Sequence, residues 1–97
     1  MMALRISPRA AADLEEIGDY ISRDNPARAV SFLEELYAAA ERACDNPEAY
    51  PLRSDIAPGI RMAVHRHYLI FFQVLSSEVR VERVLHGARH LPQAWDS

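Results

Sequence analysis

The side chains best equipped for chemistry gather late in the chain: His65 and His67, Tyr68 beside them, and the run from Arg83 through His86 and Arg89 to His90. A guanidinium grips phosphate or carboxylate with two parallel hydrogen bonds, and imidazole is the side chain that gives or takes a proton near neutral pH. With Arg61, Arg66 and Arg80 these residues could hold a phosphodiester or an acidic protein segment. Other chemistries fall away. His65-x-His67 would put two imidazoles on one side of an extended chain, but no second cysteine and no HExxH pattern completes a ligand set, so no metal or other cofactor is expected. Neither a GxSxG elbow nor a glycine-rich phosphate loop occurs, and Cys44 falls on an apolar helical stripe as a small core residue. All 11 basic residues are arginine, which excludes any mechanism built on a lysine ammonium.

The elements that must position these groups follow from periodicity. Ala3 to Ser7 alternate apolar with polar as a short strand, and Ser7-Pro8 reads as an N-cap followed by proline at the first helical position. Ala10, Leu14, Ile17 and Ile21 then recur at helical spacing to about Arg23, with Asp13, Glu15, Glu16 and Asp19 as a water-facing acidic side. Asn25-Pro26 starts a second helix reaching about Cys44. One stripe on it runs through Ala29, Leu33, Leu36, Ala40 and Ala43, and a neighbouring one through Val30, Tyr37 and Cys44. The short join makes the two an antiparallel hairpin. Residues 45–59 hold proline and no period, and read as an extended connection. Beyond it the period is two. Ile60, Met62 and Val64 alternate with Arg61, Ala63 and His65; residues 68–75 are apolar on both faces as in the middle of a sheet; residues 78–86 form the last strand. Alternation along Val79, Val81, Arg83 and Leu85 sets Arg83 among apolar neighbours, where a charge must be paired, for instance with an acid of the same chain, or open onto a cleft. Ala88 to Ser97 remain as a tail with Leu91 and Trp95 as packing anchors.

The expected fold is therefore α+β: a strand, a two-helix antiparallel hairpin and a three-stranded antiparallel meander. The helices pack on one face of a small sheet and the opposite face is left for function. At 97 residues, 49% of them hydrophobic and 26% charged, the chain has room for one globular domain spanning 1–97. A single cysteine, no signal-peptide pattern and no long apolar run point to a soluble cytoplasmic protein that does not enter membranes. The net charge of −3 argues against sequence-specific DNA binding by the chain alone. That charge is unevenly spread: residues 1–50 carry five Arg against ten acids, residues 51–97 six Arg against four.

The opening LRISPRAAADLEEIGDYI, the strand at Arg61, YLIFFQV and RVLHGAR (Arg83 to Arg89) together resemble the toxins of type II toxin–antitoxin systems in the RelE/ParE superfamily, in order and over almost the whole chain. The resemblance implies a RelE/ParE-like fold and a cognate antitoxin that wraps and neutralises the toxin in a hetero-oligomer. RelE-like members cut mRNA on the ribosome, mostly with lysines and arginines, whereas ParE-like members poison DNA gyrase and lack most of those groups. Here there is no lysine, Leu69 stands where a RelE-like arginine would be, and RVLHGAR is closer to the ParE ending. The ParE-like reading makes the chain a gyrase inhibitor with no catalytic site of its own. Arg61, Arg83, His86, Arg89 and Trp95 then belong to its target-binding face. His90 departs from the family, which more often has an acid there. The alternative is a ribosome-dependent endoribonuclease in which Tyr68, His86 and Arg89 share the acid–base and phosphate roles.

Overall fold

Ser7 organises the first turn of the chain, as seen in the computed structural model, which describes residues 2–96. Its hydroxyl accepts a hydrogen bond from the Ala10 N–H at 3.0 Å, so that β1 (Ala3–Ile6) passes directly into α1 (Pro8–Ser22). Asn25 does the same for α2 (Pro26–Asp45), its side-chain oxygen accepting from the Arg28 N–H at 3.1 Å. Both helices carry proline in the first turn, where the missing N–H leaves no bond unmade. They pack closely: a Cβ added to Gly18 would come within 3.0 Å of Leu33 Cδ1.

A single 3-10 turn at Pro47–Ala49 then leads towards β2 (Arg61–His65), β3 (Tyr68–Val74) and β4 (Glu78–His86), which form the expected antiparallel meander. The sheet order is β1-β4-β3-β2, with β1 parallel to β4. The helical hairpin covers one face through Phe32, Leu36, Ala40, Ala43, Ile70, Phe72, Val79, Val81 and Val84. The architecture is α+β, with helices on a small four-stranded sheet.

Three expectations are corrected and one element is added. Of the second stripe on α2 only Cys44 is buried: Val30 is 61% and Tyr37 45% exposed, and Phe32, on the opposite flank of the first stripe, takes a core position instead. Asp13 is not on the water-facing side of α1 but buried with Ala10, Leu14 and Ile17, because it lies three residues after Ala10 and four before Ile17. The tail, to which no element was assigned from sequence, contains the short helix α3 at Leu91–Asp96. Finally, the second face of the sheet is not left open. Ile56 and Ala57 from the proline-rich connection and Ile60 just after it, with Leu91, Ala94 and Trp95 from α3, cover Phe71, Leu85, Met62 and Leu69 in a second apolar cluster.

The alternation through Arg83 also breaks, for a reason visible in the pairing. Val81 pairs with Phe72 but Arg83 with Phe71, so Glu82 is an extra residue and the strand bulges there. Val79 and Val81 therefore face the helices, whereas Arg83 and Leu85 share the side of Phe71. The Glu82 carbonyl at the bulge accepts from the Ser7 hydroxyl at 3.0 Å.

Candidate functional site

β1 ends opposite Val81, leaving the second half of β4 without a strand on that side. Asp13 of α1 fills the vacancy. Its carboxylate accepts the Val84 N–H at 2.9 Å and takes both prongs of Arg83, from Nε at 2.8 Å and Nη2 at 2.9 Å. Both side chains are 6% exposed. The third nitrogen of Arg83 donates to the Ala94 and Trp95 carbonyls at 2.9 Å, and Arg9 donates to the same Trp95 carbonyl at 2.7 Å. Cations on the last carbonyls of α3 match the negative end of a helix. Hydrogen bonding to Asp13 holds the Arg83 guanidinium above its already high ordinary pKa, so it stays charged. Arg83 thus joins α1, β4 and α3.

The other half of the site lies at the hairpin end of the sheet, where His65, Tyr68 and His86 share one row. Tyr68 meets His86 edge to face at 5.1 Å and Phe32 at 5.5 Å; His86 stacks on His67 at 6.0 Å. The His86 Nδ1 accepts the Ala88 N–H at 3.0 Å, which leaves Nε2 as the proton-bearing nitrogen of the neutral ring. Burial pushes the Tyr68 hydroxyl above its ordinary pKa. On the rim, Glu35 of α2 draws together Arg28 at 2.5 Å, His65 at 2.8 Å and Arg66 at 3.6 Å. Those hydrogen bonds, first Arg28 and then His65, lower its carboxyl to about 2. The hairpin tip is tightly held. Arg66 has a φ of 53°, and the Gly87 N–H donates to the His67 carbonyl at 2.7 Å.

Two adjoining hollows share Tyr20, Tyr68 and His86. One, of about 390 Å³, runs along α1 past Asp13, Glu16, Asp19 and Arg23 to Arg89. The other, of about 500 Å³ and mostly apolar, is lined by Ile21, Arg28, Phe32, Arg66 and His67 besides the shared three. Of the residues singled out from sequence, Tyr68, His86 and Arg89 thus line one continuous groove. Arg83 and Trp95 lie together at α3, where Trp95 packs edge to face on Phe71 at 5.6 Å. Arg61 joins neither group: it sits at the start of the edge strand β2, donating to the Tyr50 carbonyl at 2.7 Å. Sequence reasoning missed Asp13, Tyr20, Arg28 and Glu35. For Asp13 the signal was its place within the apolar spacing of α1; Tyr20, also on α1, and Arg28 and Glu35 on α2 depend on how the two helices lie against the β2–β3 hairpin, which no local pattern encodes. Among the described residues, no three His, Cys, Asp or Glu side chains are grouped to hold a metal ion.

Comparison with known proteins gives concordant results. Residues 4–91 match the family described as ParE toxin of type II toxin-antitoxin system, parDE. The chain is 36% identical over 83 residues to Toxin ParE1 of Mycobacterium tuberculosis, a match covering 84% of this chain and 85% of that one. It is also similar to a solved structure titled "Chromosomal ParDE TA system from P. aeruginosa", with a TM-score of 0.76, 25% identity, and coverage of 89% of this chain and 96% of the other.

Proposed function

We propose that this chain, which belongs to the ParE toxin family of type II toxin–antitoxin systems, acts by docking on DNA gyrase rather than by chemistry of its own, and that a cognate antitoxin neutralises it. One observation carries the non-catalytic part. Leu69, at the position where RelE-like relatives have an arginine, packs into the apolar cluster of Ile60, Phe71, Leu85 and Trp95. A face filled in this way offers no group to activate a ribose hydroxyl or to steady a phosphorane.

In this reading Arg89 and His86 meet the target from the groove, since arginine and ring side chains dominate binding energetics. Arg83 positions them from beneath and fixes α3, whose Trp95 adds an aromatic anchor. Arg61 contributes by holding the 50–52 segment against β2. For the antitoxin, the exposed Val30 and Tyr37 on α2 and the outer edge of β1 suit an acidic, apolar segment that folds on contact, as a helix on the hairpin and a strand on the sheet.

The test pairs two assays on the purified chain. Supercoiling by gyrase is expected to fall as the chain is titrated in, and toe-printing on translating ribosomes to give no codon-positioned cuts. Unimpaired supercoiling at saturation, or cuts at defined codons, overturns the proposal, the latter in favour of the Tyr68, His86 and Arg89 nuclease.

A further inference from the structure

The apolar hollow at the hairpin end has features that docking on gyrase does not require. Its wall is an unbroken chain of rings, Phe32 to Tyr68 to His86 to His67, with centroids 5.5, 5.1 and 6.0 Å apart. Ile21 and Tyr20 close the other side. No carboxylate lines it, while two guanidiniums do. Arg28 lies over the Phe32 ring at 5.1 Å and is fixed by Glu35. Arg66 is 64% exposed and its contact with Glu35 is a long 3.6 Å. Its backbone occupies the left-handed region, which is unfavourable for a non-glycine residue. Such strain, kept at a tip that Gly87 clamps through the His67 carbonyl, presents a cation at the mouth of an aromatic cleft.

Rings with a flanking guanidinium suit a planar aromatic ligand that carries an anion, and about 500 Å³ lies within the usual size of small-molecule sites. We propose that this pocket binds a free nucleoside monophosphate, the base against the rings and the phosphate at Arg66. A longer strand is disfavoured because the adjoining groove sets Glu16 and Asp19 beside Arg23 and Arg89, so no unbroken track of cations continues the pocket. The site is distinct from the cluster around Leu69, which lies on the other face of the sheet.

Titration calorimetry of the full chain with AMP, adenosine, inorganic phosphate and a short oligoadenylate reads the pocket without gyrase or antitoxin. AMP is expected to saturate one site, with adenosine and phosphate each weaker by about tenfold or more, as base stacking plus a charged contact implies. Arg66→Gly removes the cation while suiting the turn, since glycine takes positive φ freely. It is expected to melt no lower than the parent yet to bind AMP about tenfold more weakly. AMP binding no tighter than phosphate, oligoadenylate binding tighter than AMP, or unchanged affinity in Arg66→Gly overturns the proposal.

Discussion

At the scale of single residues, Asp13 and Arg83 have the highest stakes. A buried pair is weak evidence of net stability, because desolvation offsets much of its attraction, but removing one member strands the other. Here the stranded groups would include the Val84 N–H and, through Arg83, the grip on α3. Asp13→Ala should therefore cost roughly 3–5 kcal/mol, read as a lower urea midpoint with unchanged slope. The double variant Asp13→Ala with Arg83→Met should cost less than the two singles together, because neither charge is then left unpaired. Toxicity is expected to separate Arg83 from Arg80, which faces Glu82 at 3.1 Å on the more exposed part of the strand. In growth assays Arg83→Ala is expected to relieve arrest more than Arg80→Ala, and equal relief would count against Arg83 as a positioning residue.

At the scale of elements, the joints are made by side chains that serve two neighbours. Ser7 caps α1 and also satisfies the bulge carbonyl of β4, so Ser7→Ala should cost about 1–2 kcal/mol and lower the melting temperature by roughly 4–8 °C per kcal/mol. Glu35 ties α2 to the β2–β3 hairpin. Its pKa falls from 4.5 to about 2, so its contribution is complete above 4.5 and disappears as the pH drops through about 2. Glu35→Gln should accordingly melt below the parent at pH 7, with the gap closing towards pH 2; a gap that does not change with pH would mean the carboxylate charge is irrelevant. The two helices were legible in sequence because Ser7-Pro8 and Asn25-Pro26 announce their starts and Leu14, Ile17 and Leu36 keep the period. The cover on the second sheet face was not, because Ile56, Leu91 and Trp95 come from segments without a period. The environment of Arg83 was half legible. Its need for an acid partner followed from burial, but one inserted residue at Glu82 changed which neighbours it has, and alternation cannot register a bulge.

At the scale of the whole molecule, the uneven charge now has a place in space. The acids of α1 share one groove with Arg23 at the end of that helix and Arg89 just past β4, so a partner there must satisfy both signs, and its association should weaken with salt. The exposed apolar residues of α2 lie elsewhere, on the hairpin. An antitoxin segment seated on α2 and β1 would thus leave room for contacts of its own without copying those of the target. In the proposed mode of action, the groove lined by His86 and Arg89, together with α3, docks on gyrase and stalls it. The most direct measurement is the plasmid DNA that gyrase leaves cleaved and protein-linked when incubated with the purified chain. Linear, protein-bound plasmid should accumulate with dose, fall sharply for Arg89→Ala, and vanish when the antitoxin is added first. Plasmid that stays intact at saturating toxin, with gyrase turning over as usual, would contradict the claim.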